Sequence, residues 1–140
     1  MKLRSMLLIS VLTMFLFTGC NTSTPAQEAS NEIRQAARYQ TITASKAQEI
    51  ISAQNDVVIL DVRTEEEYQT SHIANAILLP YDEISKKAEA TLTNKDATIL
   101  VYCRSGNRSA IAAKELASLG YTNILDFGGI NDWPYEVTTN

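Results

Sequence analysis

The chain has 140 residues, with 12 lysines and arginines against 16 aspartates and glutamates, one histidine and two cysteines, giving a formal net charge of −4. That length fits a single domain. The acidic balance opposes a nucleic-acid partner, which needs a basic face, and two cysteines are too few for a disulfide framework.

Residues 1–20 read as a targeting segment. Lys2 and Arg4 form a positive start, and Met6 to Phe17 is an apolar run too short to span a bilayer as a helix. The run closes on Thr18-Gly19-Cys20. A small residue before a cysteine at that point resembles the lipobox of bacterial lipoproteins. The resemblance implies cleavage before Cys20 and lipid on that residue. Loss of Lys2 and Arg4 would leave ten basic side chains against 16 acidic ones, a net charge near −6. That balance argues against a polybasic membrane contact, so attachment would rest on the lipid, and several acyl chains hold where one is marginal. The expected location is the cell membrane, lipid-anchored and facing the extracytoplasmic side. Cys103 is then the only thiol left, in a setting where an idle thiol is a liability.

Residues 21–38, rich in Ser, Thr, Asn, Gln and Ala, read as a flexible tether, with a helical turn or two at Glu32–Arg38. The domain is assigned to residues 39–140. It opens on a short strand, Tyr39 to Ile42. Thr43 caps a helix that carries Ala47, Ile50 and Ile51 on one face. Val57-Val58-Ile59-Leu60 is a strand buried on both faces, ended by Asp61-Val62-Arg63. Thr64 and Glu67 have the spacing of a capping box for a short helix that stops near Thr70-Ser71. Ala76 to Leu79 is a further strand, and Tyr81 to Ala90 has helical spacing. Thr98 to Tyr102 is an apolar strand. A helix over Ala110 to Leu119 turns Ile111, Ala112, Leu116 and Leu119 inward and stops at Gly120. Asn123 to Leu125 is the last strand, and Phe127 to Trp133 is a loop entering a final turn. Strands alternating with helices predict a single α/β domain, with a central parallel sheet of about five strands and helices on both faces.

The chemistry concentrates where the strand at Thr98–Tyr102 ends. Ligands of parallel sheets bind beyond the carboxyl ends of the strands, and Cys103 stands at such an end. The amides of Arg104, Ser105, Gly106, Asn107, Arg108 and Ser109 can curl around the thiol as a nest. The following helix adds its positive end, and Arg104 and Arg108 add full charges. Such surroundings lower a cysteine pKa from about 8.5 to roughly 3.5–7.5. Gly106 and Asn107 both tolerate the positive φ of a tight curl. Inert packing is the bland reading of Cys103, and the two neighbouring arginines argue against it.

These motifs resemble those of rhodanese-like domains. Asp61-Val62-Arg63, Glu67-Tyr68 and His72-Ile73 look like the family's first signature. Cys103-Arg104-Ser105-Gly106-Asn107-Arg108-Ser109-Ala110 looks like its active-site loop. Gly120-Tyr121 and Gly128-Gly129-Ile130 with Trp133 look like its end. The chain departs from the pattern at Ser71, where Gly is common, and at Ala74-Asn75, where Pro-Gly is usual. The resemblance covers Thr41 to Trp133 and implies a sulfurtransferase without cofactor. Cys103 would take sulfur from a small anionic donor of the thiosulfate type as a persulfide. Cyanide or a thiol, that of a protein included, would remove it. Arg104, Ser105, Gly106, Asn107, Arg108 and Ser109 would bind the donor, with the protein acting as a monomer.

His72 is placed by the same resemblance in a structural turn. Asp61 and Arg63 allow a catalytic reading, but the preferred one is supporting: a strand-end hydrogen-bond network and an ion pair with Glu66 or Glu67. Trp133 is read as core or rim. Three rival functions remain. One is a sulfur carrier or thiol-redox partner without turnover, although a single thiol leaves no resolving cysteine. The others are a cysteine phosphatase and an arsenate reductase. Loops of cysteine phosphatases place five residues between Cys and Arg, and only four separate Cys103 from Arg108.

Overall fold

Alternate residues of one strand point to opposite sides of a sheet, and the strand that ends at Cys103 is buried along both. Ile99, Val101 and Cys103 join one apolar cluster, while Leu100 and Tyr102 join the other. The structure is a computed structural model describing residues 39–139. The expected signal segment, lipidated Cys20, the tether and its helical turn lie outside the described residues.

In chain order the elements are β1 (Tyr39–Thr41), α1 (Ala44–Ala53), β2 (Val57–Asp61), α2 (Glu65–Thr70), β3 (Ile77–Leu78), α3 (Ile84–Thr91), β4 (Thr98–Cys103), α4 (Asn107–Ser118) and β5 (Asn123–Gly129). A 3-10 turn at Tyr81–Glu83 precedes α3, and another at Ile130–Asp132 follows β5. The five strands form one sheet in the order β1-β5-β4-β2-β3, and every pairing is parallel. On one side Leu60, Val101 and Ile124 pack with Ile84 and Ala88 of α3 and Ala112 and Leu116 of α4. On the other, Ile59 and Leu100 pack with Ala47 of α1, Phe127 and Trp133. This is the expected α/β domain, and Trp133 is core.

Local signals explain the helix starts. Thr43 accepts from the Lys46 amide at 3.2 Å. The capping box at α2 is complete, because the Glu67 amide donates to Thr64 Oγ1 and the Thr64 amide donates to Glu67 Oε2. Gly120, at φ +93°, ends α4, with its amide and that of Tyr121 donating to the carbonyls of Ala117 and Leu116. Asn75, at φ 63°, makes the turn that follows His72-Ile73, a conformation asparagine tolerates.

Several expectations need correction. Ile111 is not inward but 54 % exposed, because α4 buries the Ala112, Ala113, Leu116 and Ala117 stripe instead. The helix also begins earlier, at Asn107, so Asn107 is helical and Gly106 alone in the loop has positive φ. The last strand runs on through Phe127 to Gly129, held to β4 by a pairing of Cys103 with Gly129. The Tyr81–Ala90 segment splits into a 3-10 turn and α3.

Candidate active site

β4 delivers Cys103 to the carboxyl end of the sheet, with the side chain 1 % exposed. Only Arg104, Ser105 and Gly106 separate it from α4. Gly106, at φ +100°, turns the chain so that its amide donates to Cys103 Sγ at 3.1 Å. Burial pushes the thiol pKa up. The amides of Ser109, Ser105 and Gly106 and the Ser109 hydroxyl outweigh that, and the net shift is downward from the ordinary value. The Ser109 hydroxyl also lies 2.9 Å from the Gly106 carbonyl and 3.2 Å from that of Gly128, tying the loop to β5.

β5 also shapes the loop by what it lacks. A Cβ on Gly129 would lie 2.3 Å from the Arg104 carbonyl oxygen and 2.7 Å from Ser105 Cα. The loop thus rests directly on backbone. The Asn131 amide donates to the same Arg104 carbonyl at 3.2 Å.

The two loop arginines differ. Arg104 is exposed and borders a cleft of about 220 Å³ together with Arg63, Glu67, Ser71 and Asn131. Arg108 lies on the first turn of α4, and its two terminal nitrogens donate to Glu67 Oε2 and Oε1 at 2.7 and 2.8 Å. That fork-to-carboxylate geometry is the strong form of the contact. Arg108 holds the Glu67 carboxyl at a pKa of about 2, aided by Thr64 against the effect of burial. The Arg108 pKa is raised, first by Glu67 and further by the Cys103 thiolate.

Asp61 and Arg63 lie beneath this surface and pair with each other. Arg63 Nε donates to Asp61 Oδ1 at 2.9 Å, and Nη2 donates to Asp61 Oδ2 and to the Ser71 carbonyl at 2.6 Å each. Glu66 and Glu67 are not partners of Arg63, since Glu67 is committed to Arg108. The Arg63 guanidinium sits 5.5 Å from the Tyr102 ring centroid, and the Tyr102 hydroxyl accepts from the Ile73 amide at 3.2 Å. His72 is buried and stacked on Tyr68, with centroids 3.8 Å apart. Its backbone exchanges two 2.8 Å hydrogen bonds with Thr138, so it occupies a turn that fastens the C-terminal segment.

Cys103, the loop amides, Ser109 and Arg108 thus come together, with Arg104 at the rim and Asp61 and Arg63 as support. Sequence reasoning missed Glu67 as the partner of Arg108 and Gly129 as the floor of the loop. The capping-box spacing around Glu67 reads as purely local, and no spacing rule joins residues 41 positions apart.

An α/β domain that holds a single thiol in an amide-lined cradle at a parallel strand's carboxyl end is a thiolate site for an electrophile or anion. Comparison with known proteins narrows the class. A family model described as Rhodanese-like domain matches residues 43–135, and the chain belongs to this family of sulfurtransferase domains. It is 36 % identical over 73 residues to the thiosulfate sulfurtransferase PspE of Escherichia coli, covering 52 % of this chain and 70 % of that protein. It is 39 % identical over 87 residues to the adenylyltransferase and sulfurtransferase UBA4 of Candida albicans, covering 57 % of this chain. Only 20 % of UBA4 is spanned. A crystal structure of a rhodanese-related protein from Thermoplasma volcanium superposes with a TM-score of 0.63 at 33 % identity, covering 73 % of this chain and all of that one.

Proposed function

We propose that this domain is a sulfurtransferase that carries sulfur on Cys103 at the extracytoplasmic face of a membrane. The observation that carries the reading is the Cys103 thiol held below its ordinary pKa by loop amides, one of them 3.1 Å from the sulfur. The thiolate attacks the outer sulfur of a donor such as thiosulfate. The donor's S–S bond breaks, and sulfite leaves with its electron pair. The Cys103 persulfide then rests its terminal anion against the amides, as an oxyanion hole holds oxygen. Cyanide or a thiol takes the sulfur and returns the thiolate. Arg104, at the cleft rim, draws the donor in, and Arg108 faces the thiolate. Neither a second thiol nor a separate general base is required, and the protein acts as a monomer.

The four residues between Cys103 and Arg108, one fewer than in cysteine phosphatase loops, support a cradle of persulfide size over the wider one a phosphate ester needs. Purified protein supplied with thiosulfate and cyanide is expected to form thiocyanate. Sulfur loading without turnover would favour a carrier, and aryl phosphate hydrolysis dependent on Cys103 would favour a phosphatase.

Two variants probe the scaffold around this chemistry. Gly129→Ala forces the Arg104–Ser105 backbone outward. Because a shift of about 1 Å can cost roughly 10²-fold, thiocyanate formation should fall by about that factor; an unimpaired rate would show that the loop does not need this floor. The lipobox resemblance at Gly19-Cys20 supports a lipid anchor. Cys20→Ala is therefore expected to move the protein from the membrane to the soluble fraction of the expressing cells, and continued membrane retention would count against the anchor.

A further inference from the structure

We infer that Glu67 sets the charge class of the sulfur donor, favouring an organic persulfide of low charge over the thiosulfate dianion. The inference rests on the sulfurtransferase reading and concerns which donor reaches the same thiol. Three arginines surround the loop. Arg63 is committed to Asp61 at 2.6 Å, and Arg108 to both oxygens of Glu67. Of these three arginines only Arg104 forms no ion pair. With the thiolate formed, the three guanidiniums are balanced by Asp61, Glu67 and Cys103. Glu67 itself lines the cleft beside Arg104 and stays ionised at any neutral pH. A dianion approaching Cys103 therefore meets a balanced set, Glu67 against Arg108 and the thiolate against Arg104, with only the amides left over to attract it.

A persulfide of low charge does not depend on that attraction. The Cys103 thiolate attacks the terminal sulfur of RS–SH, the S–S bond breaks, and RS⁻ leaves with the electron pair and takes up a proton from water. Cys103 retains the transferred sulfur as Cys103–S–SH, which loses its proton to solvent and becomes the anion that the amides hold.

The test is the second-order rate of sulfur loading on Cys103, read by quenched intact-mass spectrometry, with thiosulfate and with cysteine persulfide. Glu67→Gln removes the charge but keeps the capping box, which accepts glutamine at this position. The wild-type protein should load faster from cysteine persulfide. In Glu67→Gln the thiosulfate rate should rise relative to the persulfide rate by roughly five- to tenfold, the effect of one unit charge across several ångströms at a partly screened site. Equal changes for both donors, or a selective loss with thiosulfate, would overturn the inference. Thr64→Ala weakens the same cap without touching the charge, and should lower the melting temperature with the donor ratio unchanged. A ratio shift in Thr64→Ala equal to that in Glu67→Gln would assign the effect to helix disorder and also overturn it. No loading from either donor would defeat the underlying sulfurtransferase reading.

Discussion

Asp61→Ala is expected to lower the unfolding free energy by about 3–5 kcal/mol, the usual result of removing one partner of a buried ion pair. Asp61 is fully buried and accepts from the Arg63 amide, Nε and Nη2. Arg63 is itself only 4 % exposed. Without the carboxylate its guanidinium keeps the Ser71 carbonyl but carries an uncompensated charge away from water. The damage should spread, because the Asp61 backbone joins β2 to both β3 and β4. Asp61→Asn retains one acceptor and the shape, so it should fall between the two. Urea unfolding checks the ranking. A loss under about 1 kcal/mol for Asp61→Ala, the scale of an exposed pair, would show that Arg63 finds solvent in the variant.

Cys103→Ser should abolish thiocyanate formation, a fall of at least about 10³-fold, because loss of a covalent nucleophile is not replaced by binding alone. A serine hydroxyl stays protonated at neutral pH and forms no persulfide, whatever the amides around it. Its size matches the thiol closely, and the Gly106 amide that meets sulfur at 3.1 Å can meet oxygen instead. Stability should therefore change little, separating the chemical role of Cys103 from its place in the apolar cluster. Activity in the variant would move the nucleophile elsewhere.

The fold was legible wherever one segment carried its own instructions. Val57 to Leu60 reads as a doubly buried strand because every residue is apolar, and Thr64 with Glu67 reads as a helix start because the capping box is local. The sheet end with Cys103 follows from the same rules. What stayed hidden depends on neighbours distant in sequence. Ile111 looks like a core residue by type, yet α4 faces the sheet through its smaller alanines, which admit a closer approach. Phe127 to Gly129 reads as a loop by its glycines, but pairing with β4 extends it as strand. The Arg63 partner was misplaced because acidic residues crowd the start of α2, whereas the short Asp61–Arg63 spacing lets a buried pair close on itself. Glu67 had two possible destinies from its sequence neighbours, and only the packing of α2 beside α4 brings Arg108 to it.

The central claim is that Cys103 accepts and releases one sulfur atom. The most direct measurement is the intact mass of the folded protein after exposure to thiosulfate or cysteine persulfide, followed by cyanide. The expected result is a gain of one sulfur atom that maps to Cys103, absent in Cys103→Ser and removed by cyanide. A folded protein whose mass is unchanged by either donor would contradict the account.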